Sequence, residues 1–131
     1  MVGSMSLGGV RSTAVNSATS DVISSGVFLA VAAGNDAQDA SNVSPASEPS
    51  AFTVGATNSS DGFAYFSNYG TSVDILAPGV SILSTWLNGS TVSVAKLHEH
   101  CLKSNLSDRT FCLAHPWLLR MLLDLLPTFS A

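Results

Sequence analysis

Val27-Phe28-Leu29-Ala30-Val31-Ala32-Ala33-Gly34-Asn35 is the stretch from which the rest of this chain can be read. Its apolar β-formers run for about six residues, the length of an ordinary strand. The strand then gives way to Ala-Ala-Gly, and the glycine lets another group approach the main chain closely. An Asn at the C-terminal lip of such a strand can donate a hydrogen bond into the crevice above a sheet, as stabilisation of an oxyanion requires. Taken alone, the segment reads as a plain strand followed by a Gly-Asn-Asp turn.

Working outward, residues 1–7 read as the end of a strand broken at Gly8-Gly9. Ala14, Val15, Ala18, Val22 and Ile23 recur at helical spacing and predict a helix over Thr13–Ser24, with Gly26 as its stop. Residues 27–33 form the next strand. The Ser-, Asn-, Asp- and Pro-rich residues 36–49 read as an exposed loop. Short strands are expected at residues 52–56 and 73–76, around a turn-rich stretch at residues 58–62. Strand, helix and strand in this rhythm argue for an α/β fold, a parallel sheet with helices on its faces.

At 131 residues the chain can bury one real core. With 46% hydrophobic and 11% charged residues it is not a disordered chain. A net charge of −4 with only 5 Lys plus Arg excludes a phosphate-binding surface, so no nucleic-acid partner is expected. Cys101 and Cys112 cannot define a disulfide framework. The residues after Met1 lack the basic and apolar regions of a signal peptide. The apolar stretch from Trp117 to Leu126 is too short to span a bilayer, and no membrane partner is expected. His98, Glu99, His100 and Cys101 follow no standard zinc spacing.

The block from Met5 to Trp86, about two thirds of the chain, resembles the subtilisin-like serine proteases (peptidase S8), and within them the proteinase K branch. The resemblance rests on Ser6-Leu7-Gly8-Gly9, Ala14-Val15-Asn16-Ser17-Ala18, Val31-Ala32-Ala33-Gly34-Asn35, Ser44-Pro45-Ala46-Ser47-Glu48-Pro49, Phe66-Ser67-Asn68-Tyr69-Gly70, Ala77-Pro78-Gly79 and Ser81-Ile82-Leu83-Ser84-Thr85-Trp86, in family order. It implies a subtilisin-like three-layer α/β fold, incomplete here, and a secreted, monomeric hydrolase acting on peptide or protein substrates. It makes Asn35 the side-chain donor of the oxyanion hole. It places Ser6, Leu7 and Gly8 on one side of the substrate cleft and Ala32, Ala33 and Gly34 on the other. It further implies a structural calcium ion held by the Asp74 carboxylate and the carbonyls of Pro49 and Ala51, oxygen donors of the kind calcium takes.

The family's triad runs Asp, His, Ser along the chain. The segments bearing its Asp and His lie upstream of anything present, and the nucleophile motif Gly-Thr-Ser-Met-Ala-x-Pro-His does not follow Thr91. As written, the chain is therefore expected to be inactive, because covalent acyl transfer needs a nucleophile and its base. Residues 1–91 are read as a partial peptidase domain and residues 92–131 as a tail foreign to the family. A shifted reading frame through residues 112–131 permits that nucleophile motif, and residues 92–109 can be written with intron boundaries. The tail is thus read as a retained intron followed by a frame-shifted exon. The alternatives are a non-catalytic peptide-binding module or pseudo-enzyme, and a lipid-surface protein using the Leu-rich tail. Asn42, Asn58, Asn88 and Asn105 each begin an Asn-x-Ser/Thr sequon.

Overall fold

In the computed structural model, which describes residues 1–85 and 91–94, the chain opens with strand β1 (Val2–Met5). The short strand β2 (Gly9–Val10) follows, then helix α1 (Thr13–Ser24) and strand β3 (Phe28–Ala32). A 3-10 turn (Ala40–Asn42) leads into β4 (Val43–Ser44), which pairs antiparallel with β2. Then come β5 (Phe52–Thr57), β6 (Ile75–Pro78), β7 (Ile82–Thr85) and β8 (Thr91–Val94). β1, β3, β5 and β6 form a parallel sheet in that order, and β7 pairs antiparallel with β8. The Thr85↔Thr91 and Ser84↔Val92 pairs carry that hairpin across the boundary expected at residues 91/92. The remainder of the expected tail, the His98–Cys101 group, the Leu-rich stretch and the sequons at Asn88 and Asn105 lie outside the described residues.

The parallel sheet and its crossover helix are what the alternation of patterns predicted. α1 begins where Ser12 accepts a bond from the Val15 amide, a side-chain cap for an otherwise orphaned donor. It ends at Gly26, whose φ of 91° suits the left-handed residue after a helix and whose amide returns to the Ile23 carbonyl. Its buried side differs from the expected stripe. Ala14, Val15, Ala18 and Val22 face solvent, while Thr19 is buried and Asn16, Ser20 and Ile23 are half-buried on the same side. Polar groups are buried there because they have partners: Asn16 Nδ2 donates to Ser47 Oγ at 3.0 Å, and Thr19 Oγ1 to the Val15 carbonyl at 2.9 Å.

Residues 36–49 also correct an expectation, since much of this loop lies inside. Ala40, Val43, Ser44, Pro45, Ala46 and Ser47 are buried. Small side chains let the segment enter, and its hydroxyls find partners. Ser44 Oγ accepts from the Ser12 amide at 2.9 Å, and the Ala46 carbonyl accepts from Thr53 Oγ1 at 3.1 Å. Ala33, Ala40, Val43 and Ala46 close into one apolar cluster with Val73 against it. Leu29, Val31 and Ala51 form a second, packed by Met5 and Ile23, which joins α1 to the sheet. The last sheet strand starts at Ile75 rather than Val73, because Val73 closes a turn on the Gly70 carbonyl and Asp74 is tied to Thr53. No helix among the described residues is long and apolar enough to cross a membrane.

Candidate active site

β1 and β3 run side by side only as far as the Met5↔Val31 pair. Beyond it residues 6–8 leave the sheet exposed, while β3 continues into Ala33, Gly34 and Asn35. The two segments expected to flank a cleft therefore emerge from neighbouring strands at the same C-terminal edge, where ligands of open α/β sheets bind. Ser6, Leu7 and Gly8 are exposed; Ala32 and Gly34 are half-buried. Ala33 is buried beneath this lip, its amide on the Val54 carbonyl at 2.9 Å and its carbonyl taken by Asn68.

Asn35 is half-buried, and its carboxamide has no hydrogen-bond partner among the described residues. The main chain on either side is tightly fastened. Asn68, fully buried, sends Nδ2 to the Ala33 carbonyl at 2.9 Å. Its Oδ1 receives the amides of Asp36 at 3.0 Å and Gln38 at 3.1 Å, and its own amide donates to the Gly34 carbonyl at 3.0 Å. Ala37 and Tyr69 extend the seam through bonds to the Phe66 and Gln38 carbonyls. Gly34 has φ of 105°, and a Cβ there would overlap the Asn68 carboxamide nitrogen. An unengaged amide donor thus stands on a backbone held before and after it. That preorganised arrangement lets a donor stabilise developing negative charge without first moving.

Asp39, at the far end of this loop, caps the 3-10 turn by accepting the Ser41 amide at 2.8 Å. The Ser41 hydroxyl and then its amide hold the Asp39 carboxyl below the usual carboxylate range. Gly70, at φ of 109°, passes so close that an added Cβ would sit 2.8 Å from Asp39 Oδ1.

For the expected calcium ligands, Asp74 lies at the entry to β6. Its Oδ2 accepts the Thr53 amide at 2.6 Å, and its own amide donates to the Thr53 carbonyl at 2.9 Å. This double tie fastens the carboxylate next to the start of β5, two residues beyond the Ala51 carbonyl. Pro49 is exposed and Ala51 buried. One Asp74 carboxylate oxygen is left outside the Thr53 bond, and carboxylate and backbone oxygens are the donor types that calcium takes.

The subtilase family (peptidase S8) profile matches residues 1–110. This chain belongs to the subtilase family. It is 60% identical over 94 residues to the subtilisin-like serine protease AsES of Sarocladium strictum, covering 72% of this chain and 24% of that protein. It is 59% identical over 91 residues to proteinase T of Parengyodontium album, covering 70% of this chain and 31% of that one. The crystal structure of a cold adapted subtilisin-like serine proteinase superposes with a TM-score of 0.70 at 49% identity, over 72% of this chain and 35% of that one. The sheet and crossover helix are thus a subtilase's, and the chain spans about a quarter to a third of the length of these curated relatives.

In this subtilase segment, sequence reasoning singled out Asn35 and missed Asn68. Asn68 stood only inside the quoted Phe66-Ser67-Asn68-Tyr69-Gly70 run. No local signal marked it, because its side-chain partners at Ala33, Asp36 and Gln38 lie 30 to 35 residues upstream.

Proposed function

We propose that this chain is a segment of a secreted serine endopeptidase that hydrolyses peptide bonds by the Asp-His-Ser acyl-enzyme route, and that it is inactive as written. In this reading Asn35 donates its side-chain N–H to the oxyanion of the tetrahedral intermediate. Ser6, Leu7 and Gly8 on one side, with Ala32, Ala33 and Gly34 on the other, receive an extended peptide, Ala33 acting as the floor beneath the lip. The main chain of residues 6–8 would give such a peptide its hydrogen bonds, and the small side chains of residues 32–34 would leave room for its own. Asp74, with the carbonyls of Pro49 and Ala51, would hold calcium, whose charge would bind the start of β5 to β6. The observation that carries the reading is the Asn35 carboxamide, without a partner among the described residues, between backbone groups fastened by Asn68.

Removing one side-chain oxyanion donor costs about 10²–10³ in turnover, a figure measured on a subtilisin itself. The same loss is expected for Asn35→Leu once the block stands in a complete protease. Active-site titration with a serine-directed phosphonate tests the state of the chain as written. No covalent adduct is expected on the 131-residue protein; stoichiometric labelling would refute its inactivity. Residues 92–131 are proposed to derive from a retained intron and a frame-shifted exon, and sequencing the mature transcript against its locus tests this. A transcript that reads through residues 92–109, with no shifted nucleophile motif in the DNA, would remove that explanation.

A further inference from the structure

We infer that Asn58 is an N-glycosylation acceptor, and that of the two sequons in the described residues it is the one that is used. Asn58-Ser59-Ser60 directly follows the end of β5 and is built as a side-chain turn. Asn58 Oδ1 accepts the amide of Ser60 and the amide of Gly62, both at 2.9 Å. The Asn58 amide meets the Gly62 carbonyl at 2.8 Å, and the Asp61 amide returns to the Asn58 carbonyl at 3.2 Å. The carboxamide is therefore oriented by its oxygen alone. Among the described residues Nδ2 has no partner, and the one fully buried side-chain polar atom without a partner there is Ser4 Oγ, so Nδ2 is reached by solvent. Gly62 helps keep it clear, since a Cβ there would come within 3.0 Å of that nitrogen. Asn58 is half-buried, and Ser59, Ser60 and Asp61 after it are exposed, so the sequon lies at the surface.

The sequon at Asn42 is the internal contrast. Asn42 itself is exposed, but its partners Val43 and Ser44 are buried in β4, and Ser44 Oγ is committed to Ser12. Pro45 follows at once, and its ring restricts Ser44 to extended backbone, against the bent form that a local acceptor turn requires.

The reaction would join Asn58 Nδ2 to the anomeric carbon of an oligosaccharide carried on a polyprenyl pyrophosphate. The carbon–oxygen bond to the pyrophosphate breaks, the lipid pyrophosphate leaves with the electron pair, and the displaced Nδ2 proton passes to a base of the transferase. Since β3 and β5 are parallel neighbours, Asn58 follows the end of β5 on the same edge of the sheet at which Asn35 follows β3. A glycan there would flank the cleft rather than cover the opposite edge.

The inference needs the secretory route contained in the proposal above, so the test supplies that route itself. The 131-residue chain is expressed in yeast behind a cleavable secretory leader, and total cell and medium protein is treated with peptide N-glycosidase in heavy-oxygen water. Peptides are then mapped by mass, and the processed N-terminus certifies entry. The expected result is heavy-oxygen Asp at position 58 and unmodified Asn at position 42. Asn58→Gln and Ser60→Ala both abolish the label at 58. Ser60→Ala does so while keeping the carboxamide and the backbone amide that orients it, so a label that came from spontaneous deamidation of Asn58 would persist in this variant and overturn the inference. An unlabelled Asn58 in leader-processed chain, or a label at Asn42 without one at Asn58, overturns the inference. Neither outcome bears on phosphonate labelling, so the protease reading stands or falls separately.

Discussion

The carboxamide of Asn68 lies directly over the bare Cα of Gly34, in the space a side chain at position 34 would fill. From there it joins the residues on both sides of Asn35, through the Ala33 carbonyl and the amides of Asp36 and Gln38. The glycine and the amide are therefore one device: Gly34 makes room for Asn68, and Asn68 fixes the turn that carries the donor. Gly34→Ala is expected to cost about 1–3 kcal/mol in backbone strain, since φ of 105° is unfavourable for any residue with a Cβ. Displacement of Asn68 adds to that. Urea denaturation of the two proteins side by side measures the loss; equal midpoints would show that the Asn68 contact does not constrain position 34.

Asn68→Ala removes three hydrogen bonds and leaves the Ala33 carbonyl unpaired in the interior. Buried groups deprived of a partner cost about 1–3 kcal/mol each, and since two of the three are only part-buried amides a total of about 2–4 kcal/mol is expected. Amide exchange at Asp36 and Gln38 should accelerate more than exchange in β5. Asn68→Asp separates the two halves of the clamp. The ionised carboxylate still accepts both amides but faces the Ala33 carbonyl without a proton to donate, whereas the protonated acid can donate one. Its denaturation midpoint should therefore improve, relative to the parent, as pH falls through the titration of the new carboxyl. A pH-independent deficit would contradict this division of roles.

How far these features could be read in advance depends on what each residue's neighbours are. α1 was legible in its limits because its stop is local: Gly26 lies within a turn of the last helical residue, and the start was set by where the spacing of apolar residues begins. Its buried side was not. Apolar periodicity favoured Ala14, Val15, Ala18, Val22 and Ile23, of which Ile23 packs on the core; the rest of the packed side holds Thr19 and Asn16, the latter bonded to Ser47 31 residues later. The burial of residues 36–49 escaped for the same reason, since a Ser-rich segment reads as solvated until the partners of Ser44 and Ser47 are known. Asn35 could be found because it ends a recognisable strand. Asn68 could not, because its importance lies wholly in long-range bonds to a turn distant in sequence.

Asp39 gives a pH-dependent prediction. The Ser41 hydroxyl, then its amide, lowers the carboxyl below its ordinary value. A carboxyl whose folded value is depressed stabilises the fold above its unfolded value and loses that contribution as pH falls through the lowered one. Acidification should therefore release the cap on the 3-10 turn while the chain is still otherwise folded. The Ser41 amide resonance followed against pH should report an inflection below the usual Asp range, and Asp39→Asn should abolish it. An inflection at the ordinary Asp position would show that Ser41 does not favour the charged form.

The calcium proposal can be separated from the structural tie that Asp74 makes. Thr53 takes one carboxylate oxygen through its amide, and Asp74→Asn keeps an oxygen acceptor for that bond while removing the negative charge a hard divalent cation needs. Millimolar calcium should raise the denaturation midpoint of the parent chain, because a ligand bound only by the folded state stabilises it in proportion to the logarithm of its saturation. Asp74→Asn should unfold at nearly the parent's midpoint in chelator and gain little from calcium. Asp74→Ala should be weaker in both conditions, having lost the Thr53 bond as well. If the Asn variant gains from calcium as much as the parent does, the ion does not bind through Asp74, and the carboxylate's role reduces to joining β6 to the start of β5.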